Sequence, residues 1–340
     1  MLNNWLYPVV VFFSVLLTYA SLPLLRHQRL LDIPNERSSH TTPVPRAGGI
    51  SFVLLYLLLL LWLWRSGVLI GLNTLVLCAG GLVVAATGLI DDRYGLSSKF
   101  RLLVQFLCFG VSVPLLSYPF LNFDTAWLLS GSIIFVTIML SVWWLNLFNF
   151  LDGIDGYAVS EAVFLCLSAA GLCWLFDAVS SSSALLLLAA SLVGFIVINW
   201  PPAKLFMGDV GSYFLGFMLS MLALLTMLQQ IISPLSWIIL TALFWVDASY
   251  TLLLRMFAGE SWHQAHRSHA YQVLSRGWNS HSRVTVTAIT VNTCWLFPMA
   301  YGGQWLIESN RIVLAWIVMI MAVLPILWGV IRIKATIKID

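Results

Sequence analysis

The sequence predicts an all-α polytopic integral membrane protein of about 10–11 transmembrane helices, with the active site formed by cytoplasmic loops. The first observation is composition: 60% of the 340 residues are hydrophobic and 9% are charged, whereas a soluble domain carries roughly 25% charged residues. The second is a succession of apolar runs of about 20 residues, the length that a helix needs to cross a bilayer. The third is that basic residues concentrate in alternate loops. We therefore treat residues 1–340 as a single transmembrane domain.

The apolar runs define eleven candidate spans. The first is predicted to be a retained span rather than a signal peptide, because no basic residue precedes its apolar core and no small-residue cleavage site follows it. The second and third are separated only by the short turn Arg65-Ser66-Gly67. In chain order the candidate spans are 4–25, 49–67, 69–90, 100–118, 126–146, 156–176, 183–200, 211–228, 231–255, 284–304 and 311–333.

The loops between these spans alternate between a basic set and a set with few charges. With the adjacent helix ends, the basic set holds 15 of the 17 Lys and Arg residues, and the other set holds only Arg65 and Arg311. This bias predicts that the basic set is cytoplasmic, that the N-terminus lies outside and that the C-terminus lies inside. All six histidines fall in the predicted cytoplasmic set, so an active site is expected there. The net charge of +3 is too small to predict a nucleic-acid partner.

The third predicted cytoplasmic loop carries polar residues at a regular spacing. Asn146, Asn149, Asp152 and Asp155 recur every three residues between two apolar runs. Each step of three turns the direction of a helical side chain by about −60°, so the four fit one site only if the helix ends near Asp152. Gly153 permits such an ending. The alternative, a simple helix cap and turn, explains the glycine but not four polar side chains at a membrane boundary.

Two adjacent carboxylates, Asp91 and Asp92, directly follow the third apolar run. Adjacent like charges repel, and a divalent cation or the nearby Arg93 and Lys99 would offset that repulsion. The alternative is a solvated turn in which an aspartate caps the next helix. We favour metal–phosphate chemistry at this pair.

The segment before the eighth span contains a further acidic candidate. Asp209 and Ser212 sit at the start of that span, where a helix cap is the simple interpretation. The functional interpretation makes Asp209 a ligand for a hard cation and Phe206 a stacking platform for a base or ring.

A late loop carries His263, His266 and His269 at spacings of three, with Arg267 between the last two. Such spacing also occurs in zinc sites, but Glu260 is the only acidic neighbour and no cysteine stands nearby. We favour an anion-binding site made by the histidines and the arginine.

Five aspartates and several basic residues on one membrane face suit a phosphate-bearing substrate, Mg²⁺ and a lipid participant. The alternative from another class is a secondary transporter or lipid flippase that uses intramembrane acids such as Glu161. That alternative predicts acids near mid-membrane and an internal repeat, whereas the acids here cluster at one predicted face.

Four motifs then resemble, in order, the polyprenyl-phosphate N-acetylhexosamine-1-phosphate transferase family (glycosyltransferase family 4), whose members include MraY, WecA and TagO. The resemblance covers essentially the whole chain. The late loop departs from the run of adjacent histidines usual in the family and is closest to the WbpL-like subgroup that initiates O-antigen synthesis. The motifs are Asp91-Asp92, Asn149-Phe-Leu-Asp152-Gly-Ile-Asp155-Gly, Phe206-Met-Gly208-Asp209-Val-Gly211-Ser212 and His266-Arg267-Ser-His269.

The resemblance implies an enzyme of the bacterial inner membrane that depends on Mg²⁺, with Mn²⁺ as the alternative cation. It implies transfer of N-acetyl-sugar-1-phosphate from a UDP-N-acetyl-sugar to undecaprenyl phosphate, which gives undecaprenyl-diphospho-sugar and UMP. This would initiate the synthesis of O-antigen, lipopolysaccharide or a related cell-envelope polysaccharide. The implied partners are the two substrates and the lipid bilayer, and a homodimer is left open.

The resemblance also implies residue roles. Either Asp91 or Asp92 positions or deprotonates the lipid phosphate, and Asp152 either attacks in a two-step route or orients a direct displacement. The implied metal ligands are Asp209 with Asn149 or Asp92. The implied substrate-binding residues are Asp155 and Phe206 for uracil, Asn199 for the uridine side, His266, Arg267 and His269 for the diphosphate or sugar, and also Lys99 and Glu161.

Overall fold

A computed structural model describes residues 5–28, 30–33, 43–121, 123–176, 178–259 and 267–336. Within them the chain is almost entirely helical, with one antiparallel pair of two-residue strands, Leu31–Asp32 (β1) and Val44–Pro45 (β2). A 3-10 turn covers Tyr118–Phe120 and a π-helical turn covers Asn292–Leu296. The helices are α1 Leu6–His27, α2 Ile50–Arg65, α3 Gly71–Tyr94, α4 Ser98–Ser117, α5 Phe123–Phe150, α6 Tyr157–Leu175, α7 Val179–Asn199, α8 Gly208–Leu228, α9 Pro234–Leu240, α10 Ala242–Phe257, α11 Ala270–Trp278, α12 His281–Val291, α13 Phe297–Glu308 and α14 Ile312–Ala335.

The described residues include nine helical segments that are long and apolar enough to cross a membrane. The pair α9 and α10 passes the same test together but is bent by 74°, and α2 is a shorter apolar helix of 16 residues. The prediction of an all-α polytopic membrane fold is confirmed. The orientation of the termini and the single-domain assignment stay predictions.

Helix α8 lies at the centre of the bundle and is the most buried of these spans. Its most extensive contact is with α3. The two helices approach closely at Gly88, where a Cβ atom would overlap the backbone carbonyl of Asp209. The C-terminal end of α3 therefore lies against the N-terminal end of α8.

The chain just before α2 is joined to the chain just before α8 by backbone hydrogen bonds. The Phe206 amide donates to the Pro45 carbonyl at 2.8 Å, and the Gly48 and Gly49 amides donate to the carbonyls of Phe206 and Met207, both at 2.9 Å. These bonds fix the entrance to α8 relative to β2 and α2.

Two predicted loop boundaries were wrong. Asp91 and Asp92 were expected in a loop, but α3 continues to Tyr94 and includes both. The late connection, 256–283, was expected to be a loop, but it contains the nine-residue helix α11. The end of α3 and helix α11 are not strongly apolar. A prediction that looks for apolar runs therefore does not detect that they are helical.

Candidate active site

Asp92 belongs to the last turn of α3 but is stabilised by α8. Its Oδ2 atom accepts a hydrogen bond from the Val210 amide at 3.2 Å, and its Oδ1 atom lies 3.9 Å from Arg46 Nε. A carboxylate is disfavoured at a helix C-terminus, where carbonyl dipoles already place negative charge. The N-terminal amides of α8 offset that effect because they present positive charge to an anion.

Asp91, the neighbouring residue, has a carboxylate that is fully engaged by the protein. Its Oδ1 atom accepts from the Leu96 amide at 2.6 Å. Its Oδ2 atom accepts from Arg101 Nη1 and from the Tyr213 hydroxyl, both at 2.9 Å. The structure therefore separates two carboxylates that the sequence treats alike. Asp91 ties α3 to α4 and α8, whereas Asp92 makes fewer contacts.

Asn149 of α5 also contacts the N-terminal end of α8. Its Nδ2 atom donates to Asp209 Oδ1 at 2.7 Å and to Ser212 Oγ at 2.9 Å. Asn146, one turn earlier, instead donates to Gln105 Oε1 of α4 at 2.7 Å. Helix α5 ends at Phe150, close to the predicted end, so the last two polar positions of the motif leave the helix.

Asp152 and Asp155 lie in the loop that joins α5 to α6. Burial raises the pKa of Asp152 to about 7, and the negative charges of Asp92 and Asp155 add to that rise. Asp155 Oδ2 accepts from the Ala203 amide at 3.0 Å and lies 3.3 Å from His281 Nδ1. The loop is thus held from two sides, and Asp152 lies close enough to Asp92 for their charges to interact.

Asn199 stabilises the end of the loop between α5 and α6. The side chain is buried, its Oδ1 atom accepts from the Gly156 amide at 3.1 Å, and its Nδ2 atom donates to the Leu205 carbonyl at 2.9 Å. Asn199 thus makes two contacts within the protein, and its expected contact with the uridine side of the substrate stays a prediction. Phe206, which is partly exposed, follows on the same segment.

Arg267 and His269 are the two residues of the predicted anion site that lie among the described residues. His266 lies outside the described residues, and Arg267 is partly exposed. His269 is 2% exposed and caps α11 in a capping box with Gln272. Burial lowers the pKa of His269 to about 3, helped by the positive charges of Lys334 and Arg255. A buried neutral imidazole is poorly suited to binding an anion, and the role of His269 at the diphosphate or sugar stays a prediction.

Helix α11 instead supports the loop between α5 and α6. The Tyr271 hydroxyl donates to the Phe150 carbonyl at 3.0 Å, and the Tyr271 ring stacks on Tyr157 at 4.8 Å between centroids. A Cβ atom on Gly153 would overlap that hydroxyl. The sequence argument missed this support because it treated 256–283 as a recognition loop.

Two predicted site residues remain, Glu161 and Lys99. Glu161 is 2% exposed inside α6, and its Oε2 atom accepts a hydrogen bond from Asn292. Lys99 is exposed in the first turn of α4. Arg46, Arg101, Tyr213 and His281 contact the site and were not among the predicted site residues.

The possible ligand atoms suit a Mg²⁺ ion that is bound partly by the protein and partly by a substrate, rather than by protein side chains alone. Among the described residues, no group of three His, Cys, Asp or Glu side chains is arranged to hold a metal ion. Asp92 and Asp209 reach the first turn of α8, and Asn149 adds a carboxamide. Mg²⁺ is usually bound by one or two carboxylates together with substrate phosphates and water. The residues therefore fit Mg²⁺ that is held jointly with a substrate.

Comparison with known proteins identifies similar sequences. The family model described as glycosyl transferase family 4 matches residues 74–227, which include both acidic motifs and Asp209. The chain is 31% identical to a decaprenyl-phosphate N-acetylglucosaminephosphotransferase of Mycolicibacterium smegmatis over 307 residues, covering 79% of this chain and 73% of the relative.

Two other relatives are matched over a shorter part. A probable undecaprenyl-phosphate N-acetylglucosaminyl 1-phosphate transferase of Bacillus subtilis is 30% identical over 209 residues, covering 59% of this chain and 56% of the relative. A phospho-N-acetylmuramoyl-pentapeptide-transferase of Chlamydia muridarum is 33% identical over 232 residues, covering 58% of this chain and 65% of the relative. The match therefore spans less than two thirds of either relative.

Proposed function

Since the chain belongs to glycosyl transferase family 4, the polyprenyl-phosphate hexosamine-1-phosphate transferases, we propose that it transfers an N-acetyl-sugar 1-phosphate from a UDP-N-acetyl-sugar to undecaprenyl phosphate. An oxygen of the lipid phosphate attacks the sugar-bearing phosphorus, the bond between the two donor phosphates breaks, and UMP leaves. One phosphoanhydride replaces another, so the reaction is expected to be near thermoneutral and reversible.

The proposal depends most on one observation. Asp92 of α3 and Asp209 of α8 both reach the first turn of α8, where Asn149 of α5 binds Asp209. In this proposal Asp209, Asp92 and Asn149 hold Mg²⁺, with Mn²⁺ as the alternative. When bound, the ion supplies neutralisation of phosphoryl oxygens and alignment of the two phosphates.

Asp152 is the best candidate for accepting a proton from the lipid phosphate. A phosphate monoester has a second pKa near 6, and the pKa of Asp152 is raised to about 7. The carboxylate of Asp152 can therefore accept the proton of a lipid phosphate monoanion with little change in free energy. We assign Asp152 to direct displacement, as base and orienting group, and a two-step route in which Asp152 attacks is the alternative. Asp91, whose carboxylate accepts three hydrogen bonds, is assigned to positioning.

We assign binding of the uridine part of the donor to the C-terminal part of the loop between α5 and α6. Asp155 is held beside the 203–206 segment by the Ala203 amide, and Phe206 on that segment is partly exposed. We assign Asp155 to the uracil N–H and Phe206 to stacking on the base. Asn199 supports them by joining Gly156 to Leu205. Arg267 stays the candidate for the diphosphate or the sugar.

The finer proposals concern donor, pathway and placement. UDP-N-acetylglucosamine is the first donor to test, because the names of the Bacillus and mycobacterial relatives specify N-acetylglucosamine. We place the reaction at the first step of a cell-envelope polysaccharide, with O-antigen as the specific pathway. We place the site on the cytoplasmic face of a bacterial inner membrane with the N-terminus outside, because 15 of 17 basic residues lie in the corresponding loops.

The test is reconstitution with purified components. The full chain is mixed with undecaprenyl phosphate, Mg²⁺ and, in turn, several UDP-N-acetyl sugars, and UMP release is measured together with formation of the lipid diphosphate. We expect release with at least one donor, loss of release in EDTA and recovery with Mg²⁺ or Mn²⁺. No release with any donor would overturn the transferase proposal, and full activity in EDTA would overturn the metal assignment.

A further inference from the structure

His281 is the first residue of α12 and lies against the loop between α5 and α6. Its Nδ1 atom is 3.3 Å from Asp155 Oδ2 and 3.4 Å from the Asp155 backbone nitrogen. The side chains of both residues are mostly buried, at 17% and 11% exposed. One turn further along α12, the Thr285 hydroxyl donates to the Asp155 carbonyl at 3.3 Å. Helix α12 therefore contacts both the side chain and the backbone of Asp155.

The Nδ1 atom of His281 can make only one of its two contacts at a time. With a proton on Nδ1 it donates to the carboxylate of Asp155, and without one it accepts from the Asp155 amide. A hydrogen bond to an ionised carboxylate is the stronger of the two because it is charge-assisted. We therefore expect Nδ1 to donate to Oδ2 while Asp155 is ionised.

The two oxygens of Asp155 then differ in what they contact. Oδ2 accepts from the Ala203 amide at 3.0 Å and lies 3.3 Å from His281 Nδ1. Within the described part of the chain, no hydrogen bond reaches Oδ1. The protein thus fixes the direction of the carboxylate through one oxygen and leaves the other available to a ligand.

We propose that His281 is a positioning residue that aims Asp155 Oδ1 at the base of the nucleotide donor. This inference rests on the proposed function, since it gives Asp155 the uracil contact. It places the effect of His281 on donor binding rather than on phosphoryl transfer, because Asp155 is assigned to the base and not to Mg²⁺ or the lipid phosphate. His281 thereby becomes a determinant of affinity for the uridine part of the donor.

Three substitutions of His281 separate this role from a general structural one. His281→Asn keeps an amide donor near the position of Nδ1, His281→Gln carries the amide one methylene further, and His281→Leu removes the donor. We expect the Leu and Gln variants to raise the KM for the UDP-sugar about tenfold, equivalent to about 1.4 kcal/mol, with kcat nearly unchanged. The Asn variant should stay close to wild type, as should His27→Asn at an exposed histidine of α1.

A binding measurement complements the kinetics. The Kd of UMP, measured by calorimetry on the full chain, should rise by the same factor in the Leu and Gln variants, while the KM for undecaprenyl phosphate should not change. An unchanged donor KM in both variants, or a fall in kcat alone, would overturn the positioning role and leave the transferase proposal standing. If the Leu variant does not fold, the comparison of Asn with Gln decides. Absence of UMP release by the wild type with every donor would overturn both proposals.

Discussion

Exchanging Asp91 and Asp92 for asparagine, one at a time, tests whether these neighbours have different roles. Asp91 accepts hydrogen bonds at both oxygens, from Leu96 on one side and from Arg101 and Tyr213 on the other. An asparagine has only one acceptor oxygen, so one of these two sides must lose its bonds.

The less costly orientation keeps the oxygen towards Arg101 and turns the NH₂ group towards the Leu96 amide. It loses one hydrogen bond and weakens a charge-assisted one, for about 2 kcal/mol in total. That corresponds to roughly 4 °C in Tm for a chain of a few hundred residues. Asp92 differs, because its Oδ2 atom accepts from the Val210 amide and no side chain of the described residues donates to it within hydrogen-bond distance. Asp92→Asn keeps that bond and should cost below about 1 kcal/mol.

The assay measures Tm in detergent and UMP release at a temperature well below both Tm values. We expect Asp91→Asn to lower Tm more and to keep measurable activity, and Asp92→Asn to keep Tm and to lose activity at limiting Mg²⁺. In an Arg101→Gln background, Asp91→Asn should lower Tm by less, because the ion pair is already absent. A larger loss of Tm in Asp92→Asn, or a folded but inactive Asp91→Asn whose Arg101→Gln counterpart is active, would refute the division of roles.

Three other predictions test separate features. Asp209→Asn should shift the Mg²⁺ dependence of UMP release to higher concentrations, and wild-type activity at limiting Mg²⁺ would contradict the metal assignment. Gly153→Ala should lower Tm by the equivalent of about 1–3 kcal/mol, since the new methyl group overlaps the Tyr271 hydroxyl. Gly131→Ala, where a Cβ atom meets nothing within 4 Å, is the matched control and should not lower Tm. The folded-state pKa of His269 is lowered to about 3 by burial, whereas an unfolded histidine titrates near 6.5. Only the unfolded chain then takes up this proton between those values, so stability falls as pH falls from about 6.5 to about 3. His269→Gln should flatten Tm against pH in that window, and an unchanged slope would contradict the buried neutral state.

The sequence was sufficient for the features that depend on composition and local spacing. Polar residues at the ends of apolar runs are uncommon enough to mark Asp92, Asn149 and Asp209, and the structure brings these three to one helix turn. The end of α5 at Phe150 also lies close to the end near Asp152 that the spacing of the polar motif predicted.

The partners of these residues were not predictable, because they depend on contacts between distant parts of the chain. Tyr213 lies within an apolar run and is indistinguishable from a core aromatic until α8 packs against α3 and meets Asp91. The burial of His269 was not predictable for the same reason. Asp247, inside α10, accepts hydrogen bonds from the Ala270 and Tyr271 amides, and this contact buries the start of α11 together with the histidine.

The same contact that stabilises the bundle also builds the candidate site. Asp92 has a carboxylate at the unfavourable end of α3, and the amides at the start of α8 offset it. Asp209 occupies that same start, and its carboxylate accepts from Asn149. The packing of α3 against α8 therefore holds the carboxylates of Asp92 and Asp209 near each other, and neither helix alone would do so. Like charges so placed favour a bound cation, and this preference arises only when α3 and α8 are in contact. The capacity for phosphate chemistry is thus a property of the helix pair and not of either motif by itself.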